Sequence, residues 1–406
     1  MDLEQGRGWA EAAAGVLDDV VGLRRAIHSE PELGLDCPRT AEKIASALDG
    51  LPLELRRGRS SSGIVAILRG GAGGNARSVL LRGDMDALPM PEETGLDFAS
   101  RHAGRMHACG HDAHTAMLVG AARVLCARRE QISGTIAFMF QPGEEGHHGA
   151  RFMIADGLLE DVAGGRRPDA AFALHVWPTL ESGTVAGRAG PLLASADTLR
   201  ATIRGKGGHA AMPHDSLDPI PVACEIVTAL QAHVARAVPV ADPAVLSITK
   251  IEAGSAHNII PDEARLLGTL RTLSEGRRSA AREAFVRIVE HVAAAHGLTA
   301  VAEVEEGFPV TVNDPRANAL ARACAEGLGN AWVELAEPVM GSEDFSYVLR
   351  EIPGAMAFLG VAAQGTAPDA RRPLHNSKMM LDEQAMANGI ALHCAFAEAF
   401  LERGFG

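Results

Sequence analysis

No apolar run in the 406-residue chain approaches the ~20 residues that span a bilayer, so the sequence offers nothing to a membrane. Positive charge is also short. There are 38 Lys and Arg against 51 Asp and Glu, a formal net charge of -13. That argues against a nucleic-acid partner, which wants a basic face. Cysteine is scarce: Cys37, Cys109, Cys126, Cys224, Cys324 and Cys394 are widely scattered. This is a reduced, cytoplasmic pattern and no disulfide framework, and the five other than Cys109 read as small core residues. The start, Met1 to Trp9, is polar and carries Asp2 and Glu4. It lacks the basic beginning and apolar stretch of a secretory signal, so the expected location is the cytoplasm. No internal repeat or low-complexity linker is visible. Composition is that of an ordinary globular protein, 47% hydrophobic and 22% charged, and the length predicts two domains.

What the chain does have is Met106-His107-Ala108-Cys109-Gly110-His111-Asp112-Ala113-His114. Five groups able to bind metal or carry protons fall in nine residues. Cys109 and His111, two apart, can face one point in a turn, and thiolate and imidazole both suit zinc-like divalent metals. Gly110 lets the backbone bend between them. Ala113 to Arg129 reads as a helix with Asp112 as its N-cap. The plainer alternative is a solvated His-rich loop with a buried Cys.

Around this cluster, apolar strands alternate with helices. Ala14–His28 and Thr40–Leu48 read as helices, and Gly63–Leu68, Ser78–Arg82, Thr135–Phe140 and Ala170–Val176 as strands. Several strands run into acidic or His residues: Asp84 and Asp86, Glu144 and Glu145, and His175. In α/β sheets ligands bind outside the carboxyl ends of the strands, which gives these residues a common meeting place. From about Leu193 the character changes. A half-exposed strand at 199–204, a helix at 219–234, strands at 245–251 and 264–273, a helix at 274–295 and a strand at 299–305 follow one another. That β-α-β-β-α-β order is ferredoxin-like. The expected fold is thus α/β: a di-metal catalytic domain of 1–193 and 307–406, with a mixed sheet flanked by helices, and an inserted ferredoxin-like lid at 194–306.

Two metal ions need a bridging anion and further ligands. Cys109 could bridge, and His111, Glu145, His175 and His375 could complete the two shells. Metal pairs lower the pKa of a bound water and clamp carbonyl oxygens, which suits hydrolysis. Glu144, beside a proposed ligand, suits a general base that later protonates a leaving amine. Asp86 would orient a ligating histidine. A solvated turn remains the alternative for the Glu pair. A cysteine hydrolase using Cys109 with His111, and a non-catalytic metal- or ligand-binding protein, also remain open.

Arg82 to Pro89, His107 to His114, Gln141 to Gly146, Leu174-His175-Val176, Gly205 to Ala211, Gly341 to Phe345 and Leu374-His375-Asn376 together resemble the M20 metallopeptidase family. Within it they resemble the amidohydrolase branch, with its hippurate hydrolases, aminoacylases, auxin-conjugate hydrolases and N-acetyldiaminopimelate deacetylases. The resemblance implies metal-dependent hydrolysis of N-acyl amino acids, or dipeptidase activity on the same scaffold. It implies Cys109, His111, Glu145, His175 and His375 as ligands of two divalent metals (zinc, manganese, cobalt or nickel). It also implies Glu144 as base, Asp86 as supporting acid, and a homodimer formed through the lid. His209, in the Gly205–Ala211 run, would stand over the metals and donate to an oxyanion, though such a His is commonly just a solvated loop residue. Asn258 and Arg271 are candidates to hold the substrate's carboxylate or carbonyl oxygen, and a surface Arg is the alternative for Arg271. This branch bridges with Cys109 where relatives use Asp. Asp84 stands where they have a ligating His, which leaves the role of Asp84 open.

Overall fold

The computed structural model describes residues 3–73 and 77–405, with side chains from Gly8 onward. The polar start read above falls partly outside them, at Met1 and Asp2. The described chain divides into two units: Met1–Leu192 with Val312–Glu337 and Asp344–Gly406, and Leu193–Thr311 with Pro338–Glu343.

The first unit is built on an eight-stranded mixed sheet. Its order is Leu53–Arg57, Ile64–Arg69, Thr135–Gln141, Ser78–Asp84, Ala170–Glu181, Gly354–Ala362, Thr184–Gly187 and Ala331–Glu334. Thr135–Gln141, Ser78–Asp84, Ala170–Glu181 and Gly354–Ala362 run parallel, so their carboxyl ends share one edge. Ser78–Asp84 and Gly354–Ala362 are buried along their whole length, as parallel strands covered on both faces should be. The helices Leu17–His28 and Met386–Arg403 both pack on the helix His111–Ala127. They meet at Gly120, where an added Cβ would stand 2.9 Å from Val20 and 2.8 Å from Ile390. Phe396 stacks on Phe172 at 4.3 Å and fastens the last helix to the sheet.

The second unit is an antiparallel sheet in the order Ala244–Ala253, Glu263–Thr272, Asp197–Arg204, Thr299–Glu306. The helices Pro219–Ala237 and Glu275–Ala295 cover the face carrying Leu199, Ala201 and Ile203. The elements follow as β-α-β-β-α-β with the fourth strand beside the first. Asp218 and Ser274 cap the two helices through their side chains.

Several expectations need correction. The helix read as Ala14–His28 begins at Leu17, and a separate helix, Leu3–Ala14, precedes it and was not read. The helix after the central cluster begins at His111, and its N-cap is Gly110. Asp112 is no cap, because its carboxylate is drawn down to Arg24 and His28. Cys224 is exposed and not a core residue. The strands Leu53–Arg57 and Ala331–Glu334 at the two edges, and Thr184–Gly187 inside the second of them, escaped the sequence reading because strands of four or five residues show little periodicity.

A buried ion cluster ties three segments together. Asp112 accepts from Arg24 Nε and from His28 Nδ1, both at 2.8 Å, and His28 Nε2 lies 3.1 Å from Glu92. Burial alone would lower the His28 pKa, but the Asp112 and Glu92 carboxylates outweigh it and raise it to about 9. A group raised on folding stabilises fully below its unfolded pKa of ~6.5 and loses that contribution as pH climbs through 9. The melting temperature of the wild-type chain should therefore fall between pH 7 and 9.5 relative to that of His28→Gln. Parallel melting curves for the two across this window would contradict the assignment.

Candidate metal centre

The parallel strands deliver most of the candidate residues to one edge. Ser78–Asp84 leads into Met85 and Asp86, Thr135–Gln141 into Glu144 and Glu145, and Ala170–Glu181 carries His175. Cys109 and His111 flank Gly110, whose φ is 86°. A Cβ there would stand 2.3 Å from Val176 Cγ2, so both the left-handed turn and the space demand glycine. His375 arrives from the segment before the last helix. It holds φ 63°, unusual for a non-glycine residue, and its N–H donates to Ala108 O at 2.9 Å.

The side chains converge on one thiol. Cys109 Sγ lies 3.5 Å from His175 Nε2 and 3.3 Å from His375 Nε2. Glu145 Oε1 lies 3.3 Å from His375 Nε2 and 3.9 Å from His111 Nε2. Two compact ligand groups result, Cys109–His111–His175 and Cys109–Glu145–His375, sharing the sulfur. The far nitrogens are already committed. His111 Nδ1 donates to the main-chain oxygen of Asp86 at 2.9 Å, and His175 Nδ1 to Val176 O at 2.8 Å. Each Nε2 lone pair therefore points inward. His111 Nε2 is buried without a hydrogen-bond partner. A buried nitrogen without a partner beside a thiol and carboxylates fits a divalent cation well, since such atoms are rarely left unsatisfied.

Electrostatics agree with this. Burial pushes the Cys109 thiol up, while His111 pulls the other way. Hydrogen bonds to Cys109 and Glu145 outweigh burial and raise His375 to about 10. Burial and the neighbouring His114 hold His175 well below its usual range. Burial would raise Glu145, but His375 and His111 bring it down. Without metal, protons on the imidazoles balance the anions.

Asp86 does more than expected, and differently. Its carboxylate accepts from Glu144 N at 2.9 Å and Glu145 N at 3.0 Å, fixing the turn that presents both glutamates. His111 Nδ1 donates to the Asp86 main-chain carbonyl at 2.9 Å and lies 3.5 Å from the Asp86 carboxylate. Glu144 is 6% exposed. In the second unit, the ribbon Gly208–His209 pairs with Ile259–Ile260, and Ala210 N donates to Asn258 O at 3.1 Å, so His209 and Asn258 are neighbours. His209 Nδ1 accepts from Ala211 N at 3.1 Å, which puts the hydrogen on Nε2. Arg271 is half-buried on the strand Glu263–Thr272, and burial lowers its pKa. Sequence reasoning missed Arg82. This buried cation inside an apolar strand pairs with Asp84 at 2.7 Å and bonds Gln141 at 2.9 Å. A charge in an otherwise apolar strand was the available signal.

Thiol, imidazole and carboxylate groups gathered outside the carboxyl ends of a parallel-centred sheet define a metal-dependent hydrolase of mixed α/β architecture. The chain belongs to Peptidase family M20/M25/M40, which it matches over residues 80–399. It is 38% identical to thermostable carboxypeptidase 1 of Saccharolobus solfataricus over 94% of this chain and 95% of that protein. It is also 38% identical to N-acetylcysteine deacetylase of Bacillus subtilis, over 90% of this chain and 93% of the relative. Among solved structures it resembles the Bacillus subtilis YXEP protein, described as a dinuclear metal binding peptidase from the M20 family. The TM-score is 0.82 and the identity 34%, covering 96% of this chain and 99% of that one. These likenesses support the amidohydrolase branch and amide hydrolysis of N-acyl amino acids at family level. Among the described residues, no helix is long and apolar enough to cross a membrane.

Because His375 is held near 10, a metal bound at this residue at pH 7.5 would have to displace a proton from it. Calorimetric titration of the metal-free protein in buffers of different ionisation enthalpy should show net proton release. Heats that do not vary with the buffer would contradict this electrostatic account.

Proposed function

We propose that the chain hydrolyses the amide bond of N-acyl amino acids, N-acetyl, N-benzoyl or similar, to a carboxylate and a free amino acid. The observation that carries this is the convergence of His175, His375 and the Glu145–His111 pair about Cys109 Sγ. In this reading Cys109, His111 and His175 would hold one divalent metal and Cys109, Glu145 and His375 a second. Zinc, manganese, cobalt and nickel all suit such a shell. When bound, the metals supply Lewis acidity, lowering the pKa of water and polarising the amide carbonyl.

The chain's own residues do the rest. Glu144 takes the proton from the attacking water and hands it to the leaving nitrogen. Asp86 keeps Glu144 and Glu145 in fixed relation through their two N–H groups. His209, bearing its hydrogen on Nε2, supplies a donor to the developing oxyanion. Asn258 and Arg271 hold the substrate's carboxylate or carbonyl oxygen. The second unit acts as a lid and as the contact of a homodimer, and the enzyme works in the cytoplasm. Against a cysteine nucleophile stands the burial that raises the Cys109 thiol, since reactive cysteines need a lowered pKa and access. The carboxypeptidase among the relatives favours a second reading in which the acyl group is itself an amino acid.

A screen of acetyl-, benzoyl- and indoleacetyl-amino acids against dipeptides, on metal-reconstituted protein, separates the two substrate classes. Glu144→Gln should retain metal yet lose about 10²–10⁴ in rate. Turnover within a few-fold of wild type would remove Glu144 as the base. Activity that survives thorough chelation would overturn the metal-dependent reading.

A further inference from the structure

Asp84 and His114 lie behind the candidate metal cluster, and neither ligand group sharing Cys109 includes them. Both are buried, at 0% and 1% exposure. Asp84 Oδ1 accepts from His114 Nδ1 at 2.6 Å, and its main-chain oxygen accepts from Thr115 Oγ1 at 2.6 Å. On the other side of the His114 ring, Nε2 accepts the N–H of Val176 at 2.8 Å. Nδ1 therefore bears the hydrogen and the Nε2 lone pair is spent, so neither nitrogen is open to a metal. Yet the ring packs against both candidate ligands, with centroids 5.5 Å from His111 and 4.6 Å from His175.

The connections are symmetrical about this ring. His111 and His114 are three apart on one helix, so they share a face. The segment Asp84-Met85-Asp86 grips both, His114 through the Asp84 carboxylate and His111 through the Asp86 carbonyl. Val176 grips His114 through its N–H and His175 through its C=O. Asp84 is itself held, with Arg82 at 2.7 Å on Oδ2. Arg82 is in turn anchored by Gln141 at 2.9 Å and Asp344 at 3.2 Å. Although Asp84 Oδ2 comes within 3.5 Å of His111 Nε2, a cation placed there would share that oxygen with a guanidinium.

We propose that Asp84 and His114 form a positioning pair that sets the rings of His111 and His175 at the spacing one metal requires, and that Asp84 is not itself a ligand. This rests on the di-metal reading above. Carboxylate–imidazole contacts of this kind fix tautomer and ring orientation, and losing one typically costs 10–100-fold in metal affinity.

The test is calorimetric titration of metal-free wild type, His114→Leu, His114→Asn and Asp84→Asn with zinc or manganese, followed by steady-state kinetics. His114→Leu, which removes both hydrogen bonds, should weaken one of the two metals about 10–100-fold and leave the other as in wild type. Its kcat should fall with KM little changed. His114→Asn keeps a donor for Asp84 but leaves the Val176 N–H without its partner, so its affinity should lie between those of His114→Leu and wild type. If His114→Leu binds both metals as wild type does, the proposal is wrong. It is equally overturned if Asp84→Asn loses a metal that both His114 variants keep, since Asp84 would then be a ligand. Should His114→Leu not fold, His114→Asn and Asp84→Asn must weaken the same metal for the proposal to stand. A wild-type chain that takes up fewer than two metals removes the underlying reading and the proposal with it.

Discussion

A buried cysteine sulfur beside a half-buried carboxylate and three imidazoles must have its charge balanced, and that requirement organises the first unit. Cys109 is 7% exposed and faces imidazoles on two sides, with Glu145 bridging His375 and His111. In the metal-free chain the balance is struck with protons: His111 and His375 are both raised, by anions that outweigh burial. Divalent cations would take the place of those protons, with His111 Nε2, which has no hydrogen-bond partner, as one point of attachment.

The topology makes this concentration of polar groups affordable. Four parallel strands end on one edge, where loops carry Asp86, Glu144 and Glu145, while the strands themselves are mostly apolar apart from the paired Arg82. Two features hold the loops rigid. Gly110 turns the chain between Cys109 and His111 in a conformation and a space closed to other residues. The Asp86 carboxylate spans the Glu144–Glu145 turn. Behind them Arg82, Asp84, Gln141 and Asp344 form a buried ion network that reaches His114 through Asp84.

The sequence made a good part of this legible. Continuous apolar runs mark Ser78–Asp84 and Thr135–Gln141 because strands covered on both faces leave no alternative composition. The chemical types of Cys109, His111, Glu145, His175 and His375 marked which side chains could meet, although only Glu145 follows closely on the end of a strand. Long-range partnerships were hidden. Asp112 has every local property of an N-cap, yet Arg24 and His28, more than 80 residues earlier, take its carboxylate. His114 has the residue type of a ligand, and only the N–H of Val176 disqualifies it. Nothing in its neighbours' sequence announces the left-handed backbone of His375. Nor does local sequence show that Pro338–Glu343 belongs with the second unit, since that membership is decided by contacts far along the chain.

The central claim is that one cysteine sulfur is shared by two metal ions. Anomalous diffraction from metal-loaded crystals reads this directly. Two anomalous peaks about 3.5–4 Å apart should flank Cys109, each about 2.3 Å from its Sγ if the metal is zinc. A single peak, or a pair of which neither touches that sulfur, would contradict the account.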